Sequence, residues 1–335
     1  DKDGDKDIIV GNRTIPQNYP KPTTSVIYEN VNQVFVDVTE KIAPAFHNFG
    51  IVNKVISTDF DNDGWEDFIA VGEWTGIGLF RNNKGVFENL SNSNEMISAL
   101  KGWWFSVGET DINNDGLSDY IIGNVGKNIK FDASQEKPLK VFANDFDENG
   151  TQDIVLSKQY QGEYVPVRGL ECSSQQMPFI QKKFESYSDF ANANLTDIYG
   201  EKLKTGYEAE ANEFKSILLV NQGNGTFTYF YLPDEAQLFP IMKSVFIDIN
   251  DDGFEDAILG GNIYETEVET PRLDAFSGLI LVSNGKDGYT PMSQQNSGIV
   301  MNGNIKDLMM FEMGKSTGLM AAQNNGQILL YKKKD

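Results

Sequence analysis

The sequence is short of the residues on which most enzyme chemistry is built. It has one His, His47, and one Cys, Cys172, in 335 residues. A Ser–His or Cys–His nucleophile would have to use that single imidazole. No Gly-x-Ser-x-Gly elbow accompanies it. Zinc needs grouped Cys or His ligands, and there is no such group. One Cys permits no intramolecular disulfide. No apolar run reaches the roughly 18 residues of a membrane-spanning helix, so no span is expected. Basic residues are scarce, 28 against 49 acidic, for a net charge of −21. Nucleic acid and anionic membranes are poor partners for such a chain, because both need a Lys/Arg surplus on one face. No catalytic residue is assigned.

What is present is acid in a repeated spacing. In "DFDNDGWED", Asp59, Asp61 and Asp63 alternate, Gly64 follows, and Asp67 closes the set. Carboxylates at loop positions 1, 3 and 5, then Gly at 6 and a backbone carbonyl at 7, begin a Ca²⁺ loop of the EF-hand kind. Here an Asp at position 9 replaces the Glu at 12. Trp65 would give the carbonyl. The pattern recurs as Asp111, Asn113, Asp115 and Asp119 with the Leu117 carbonyl. It recurs again as Asp145, Asp147, Asn149 and Asp153 with Thr151, and as Asp248, Asn250, Asp252 and Asp256 with Phe254. A fifth, partial copy opens the chain, with Asp1, Asp3 and Asp7 as ligands, Gly4 at position 6 and the Asp5 carbonyl. Four to five Ca²⁺ ions are therefore expected. They would account for much of the acidity, since 21 of the 49 acids lie in these loops. Weak Ca²⁺ loops fill at the millimolar levels found outside cells. With no disulfide, that points to a bacterial surface more than to an animal secreted protein.

Short apolar runs flank each loop, as in "NKVISTDFD" and "DFIAVGEW", and further strands end in Gly/Asn turns such as "SILLVNQGNG". Four short strands per unit read as a propeller blade. Six units are visible over residues 1–335. The last has no Asp loop, and an upstream start is expected to complete a seven-bladed, all-β propeller. The interval from Asp145 to Asp248 is about twice a blade. Residues 173–207 within it carry helical spacing, with Met177, Ile180 and Phe184 on one face and Phe190, Ala193, Leu195 and Ile198 on another. Ser188 is a candidate cap. A helical insertion within the Asp145 blade is expected, as a packing lid or a partner surface. Trp74, Trp103 and Trp104 are either core or sugar-stacking platforms.

The D-x-[DN]-x-[DN]-G-x-x-D loop, followed by an apolar strand and Gly, resembles the FG-GAP/VCBS-repeat propellers, which include the integrin α-subunit head. Longer stretches resemble the cartilage-acidic-protein-like subfamily of Bacteroidetes surface proteins. Among them are "GWWFSVGETDINNDGLSDYIIGNVGKN" and "ECSSQQMPFIQKKFESYSDFANANLTDIYG". The resemblance implies a Ca²⁺-stabilised propeller outside the cell, among relatives that are often lipoproteins or parts of surface assemblies. The resulting expectation is a non-enzymatic scaffold for protein–protein interaction in a bacterial cell-surface, outer-membrane-associated assembly. The alternatives are a lectin-like glycan binder and, behind it, a polysaccharide lyase or hydrolase, since spare carboxylate pairs are compatible with glycosidic chemistry.

Overall fold

Strands form where short apolar runs flank each Asp loop. In the computed structural model, which describes residues 1–267, 269–314 and 316–333, Ile51–Thr58 leads into the loop at Asp59 and Asp67–Thr75 leaves it. The two pair antiparallel, Thr58 opposite Asp67 and Val55 opposite Ala70. Ile77–Asn83 and Val86–Asn89 continue the meander, and Gly102–Trp103 adds a short strand beside Asp67–Thr75. Asp67–Thr75 is buried almost throughout, as its near-continuous apolar run requires. At Gly72 a Cβ would lie 1.6 Å from the Ile51 carbonyl oxygen. Only glycine therefore lets these strands close at the register shift between Val52 and Lys54.

The meander recurs in Ile241–Ile247, Asp256–Gly261, Leu279–Ser283 and Tyr289–Pro291. Three-stranded versions stand at either end: Ile8–Val10, Val26–Val31 and Val34–Asp37, then Ile305–Met313, Ser316–Gln323 and Leu329–Lys332. The leading strands Ile51–Thr58, Ser106–Thr110, Ile241–Ile247 and Ile305–Met313 are neighbours in that order. Adjacent sheets share cores. Ile69, Val71 and Leu79 meet Val107, Ile122 and Leu219. Ile121 and Leu218 meet Ile258, Leu259 and Ile280. Each fully buried Leu or Ile contributes about 1.5–3 kcal/mol, so the blade-to-blade seams hold much of the stability. The architecture is all-β and propeller-like.

One sheet is interrupted. Ser106–Thr110 and Asp119–Gly123 pair, but the third strand beside Asp119–Gly123 is Ile217–Asn221, followed by Phe227–Tyr231. Sequence order assigned Ile217–Asn221 to the Asp145 unit. The pairing of Ile121 with Leu218 gives it to the Asp111 unit instead. Residues 124–216 are thus inserted between two strands of one blade. They carry their own sheet, in the order Glu163–Pro166, Asp153–Tyr160, Leu139–Asn144, Tyr207–Ala211. The sequence predicts six successive units over this chain. Five sheets succeed one another among the described residues, and the sixth lies in the insertion.

Five short helices follow Glu163–Pro166, from Leu170–Gln176 to Lys202–Thr205. Their apolar residues, Met177, Ile180, Phe190, Leu195 and Ile198, join one cluster with Phe142, Phe146 and Val155 on one face of the inserted sheet. Ser186, not Ser188, caps Tyr187–Ala191 by accepting the Asp189 N–H. Ser188 lies inside that helix. The other face of the inserted sheet, with Val141, Ile154 and Leu156, turns to Trp74, Trp103 and Phe214. No helix among the described residues is long and apolar enough to cross a membrane.

Candidate functional site

Each Asp loop is wound by its own hydrogen bonds. The Asp59 carboxylate accepts from the N–H groups of Asp63 (3.1 Å) and Gly64 (2.8 Å), and Asp63 accepts from Trp65 (2.8 Å). Asp111, Asp145 and Asp248 make the same pair of bonds in their loops. Two residues per loop take positive φ. One is the glycine at position 6, as expected, with Gly64 at +83°. The other is position 4, with Asn62 at +56°, Asn114 at +57°, Glu148 at +62° and Asp251 at +60°. The sequence reading missed position 4. The two Asn residues were a legible signal, because Asn tolerates the left-handed region, but Glu148 was not. At the chain start, Lys2 (+68°) and Gly4 (+103°) repeat the pair, so residues 1–7 wind like the tail of a fifth loop.

The position-9 Asp fastens each loop to the sheet. Asp67 Oδ2 accepts from Phe60 N–H (3.1 Å) and Oδ1 from Asn82 N–H (2.7 Å), at the end of the third strand. Asp119 and Asp256 do the same with Ile112 and Asn221 and with Ile249 and Ser283. In the insertion, Asp153 keeps the bond from Phe146, but its Oδ1 meets Gln176 Nε2, 3.5 Å away on the first helix. These carboxyls are buried, Asp67 being 1% and Asp119 0% exposed. Burial pushes Asp67 up to about 7 and Asp119 to about 6, against the N–H groups that lower them.

One oxygen from each of Asp59, Asp61 and Asp67 lies within 4.8 Å of the others, and Asp145, Asp147 and Asp153 converge equally. Asp63 is outside the first triad. In the remaining two complete loops the position-3 residues Asn113 and Asn250 donate to Asp115 (2.9 Å) and Asp252 (2.8 Å). The available donors are carboxylate, amide and carbonyl oxygens. That chemistry fits a hard cation and not zinc or copper.

Neighbouring loops are joined through position 4. Asn62 Nδ2 donates to the Gly116 carbonyl (3.0 Å), and Asn114 Nδ2 to the Gly253 carbonyl (2.8 Å). Lys333 Nζ donates to the Asp248 carbonyl (3.1 Å) and Asp251 carboxylate (2.9 Å). Lys202 fastens the insertion's loop through the carbonyls of Asp145 and Phe146 and through Glu148.

A cleft of about 790 Å³ opens between the insertion and the end of the propeller's sheets opposite their Asp loops. Met242 and Lys306, near the starts of their leading strands, and Trp103 form part of one side. Ile154, Leu156 and Val167 form the other. Ion pairs stand around it. Glu73 takes Arg13 (2.5 Å) and the Tyr19 hydroxyl (2.9 Å). Glu267 takes Lys130 (2.7 Å) and Arg168 (3.0 Å). Glu265 accepts from Asn304 (2.8 Å), with Lys306 at 3.7 Å. The Asn304 amide holds Glu265 down at about 2. Trp104 is wholly buried, and its Nε1 donates to the Thr75 carbonyl, whereas Trp103 is half-buried beside the cleft and packs edge-on to Trp74 and Phe131. Sequence gave no sign of this cleft, because its residues run from Arg13 to Lys306. His47 Nδ1 lies 3.5 Å from Glu40, and Cys172 Sγ contacts Glu269. Neither contact brings the imidazole to a thiol or hydroxyl.

Against known families, residues 59–122 match the FG-GAP-like repeat. That stretch holds two successive Asp loops and the meander between them, and the match supports the FG-GAP repeat family, which is generally non-catalytic and implies a protein-interaction scaffold. No curated protein matches the chain. Among solved structures it is similar to an Agrocybe aegerita lectin described as specifically recognising non-reducing terminal N-acetylglucosamine. The identity is 15% and the TM-score 0.21, covering 86% of this chain and 79% of that one.

Proposed function

We propose that the chain is a calcium-stabilised, non-enzymatic propeller scaffold that binds other proteins within an assembly on a bacterial cell surface. The observation that supports this is the recurrence of one wound, all-oxygen loop at the same end of three successive sheets and again in the inserted sheet. Each complete loop would hold one Ca²⁺ through positions 1, 3, 5 and 9 and the position-7 carbonyl. Asp1, Asp3 and Asp7 would contribute to a fifth site. The bound ion would cancel the carboxylates' repulsion, and its binding free energy would add to folding. The chain's own residues do the rest: they wind the loops, link blade to blade, and leave the other end of the propeller open to a partner.

The test has two parts. Equilibrium dialysis against Ca²⁺ should give four to five ions per chain, and no uptake would remove calcium from the reading. A pull-down from native membranes should recover stoichiometric proteins in Ca²⁺ and lose them in EDTA. Recovery of the chain alone in both conditions would remove the scaffold.

A further inference from the structure

We infer that the cleft between the insertion and the propeller end binds a short, uncharged, apolar peptide segment of a partner protein. This rests on the scaffold reading and names its docking site.

Both walls are apolar, and beside the core that the insertion and the propeller end share they are only partly covered. Ile154 and Leu156 on the inserted sheet, and Met242, Ile263 and Leu273 across from them, are only half-buried, so each keeps apolar surface facing the gap. The volume of about 790 Å³ is that of a pocket that encloses a ligand rather than of a packing defect. The position, where the insertion meets the propeller end, is where such pockets concentrate.

Charge narrows the ligand. The chain has 49 acidic and 28 basic residues, yet the cleft is lined by four cations (Arg13, Lys130, Arg168, Lys306) and three carboxylates (Glu73, Glu265, Glu267). Each cation has a carboxylate partner. A strongly anionic ligand would meet the three glutamates, and a strongly cationic one the four bases. A peptide backbone carries no charge and offers both N–H donors and carbonyl acceptors to this mixed rim. Its apolar side chains fit the walls. A glycan fits less well. Its hydroxyls would lose water against Ile154, Leu156 and Leu273, which offer no hydrogen bond in return.

The test uses the full chain in Ca²⁺, a phage-displayed library of random peptides, and a glycan array in parallel. Selection is repeated on Leu156→Asp and Leu273→Asp, which stand on opposite walls, after each is shown to keep the wild-type melting temperature and calcium uptake. Enriched peptides should be apolar and without net charge. Both variants should bind them about thirtyfold or more weakly, the loss typical of a hot-spot residue. If Leu156→Asp fails to fold, Leu273→Asp, on a segment outside the main sheets, decides alone. Peptides that bind the variants as tightly as wild type would overturn the inference and leave the scaffold reading standing. Glycan binding with no peptide enriched would overturn both. A library that yields no peptide, or only charged ones, would also overturn the inference.

Discussion

Asp61→Ala should reverse the sign of its effect when calcium is added. In the metal-free chain, Asp59, Asp61 and Asp67 each place an oxygen within 4.8 Å of the others. Two unit charges at that distance repel by about 0.9 kcal/mol at the screening of bulk water, and by more near a protein surface. Removing Asp61 removes two of the three pairs, so at about pH 8, where Asp67 has lost the proton it holds up to about 7, metal-free protein should gain about 2 kcal/mol. The lost hydrogen bond is small, because the Asp63 N–H that reaches Asp61 at 3.3 Å keeps Asp59 at 3.1 Å. With calcium at a hundred times the dissociation constant, the wild-type site gains about 2.7 kcal/mol, which the variant forfeits. The assay is urea unfolding at fixed ionic strength, in EDTA and in excess Ca²⁺, with the bound calcium counted. The variant should be the more stable protein in EDTA, lose that advantage in Ca²⁺, and bind one ion fewer. An equal stability difference in both conditions would refute the ligand assignment. A variant less stable in EDTA would refute the account of repulsion.

Three further outcomes are expected. Burial holds Asp67 at about 7 and Asp119 at about 6, above the ordinary 3.8, so the native metal-free chain keeps protons that the unfolded chain releases. Its stability should therefore fall as pH rises from about 4 to about 7, and thermal melts in EDTA that rise over that window would contradict the burial. Replacing residues 125–215 by a short linker should leave the five successive sheets folded with one ion fewer, because Asn124 N–H and Ser216 Oγ already lie 2.9 Å apart. General unfolding, read by near-UV circular dichroism, would make the insertion a structural part of the propeller. Asn114→Ala should cost about 2 kcal/mol or more, through its bond to the next loop and through placing Ala at a φ of +57°, and leave the calcium count unchanged. A lost ion would place Asn114 in a metal shell.

The Asp loops were legible because their information is local. Nine consecutive residues specify the turn, its glycine and its closing Asp, and the wound geometry follows at Asp59, Asp111, Asp145 and Asp248 alike. The flanking strands were legible for the same reason. Strand partnership was not. "SILLVNQGNG" carries the pattern of a third strand but nothing that says whether Asp119–Gly123 or Asp153–Tyr160 lies beside it. Apolar spacing marked the helices after Leu170, yet it could not show that they cover one face of a separate sheet. The cleft was out of reach altogether, since Arg13, Trp103, Leu156 and Lys306 meet only after the chain has folded back on itself.

The interrupted blade also sets an order of events. Asp119–Gly123 leaves the ribosome long before Ile217–Asn221, its neighbour in the sheet. Until then that blade has only half its strands, with an apolar edge exposed. If the intervening residues 124–216 stayed disordered, closing so long a loop would cost about 4 kcal/mol in chain entropy. Folded first, they bring Asn124 and Ser216 within hydrogen-bond reach and deliver the missing strand to its place. The insertion thus acts as an internal template, and a lesion in it should appear first as slow or aggregation-prone maturation of the Asp111 blade, well before it changes the stability of the finished protein.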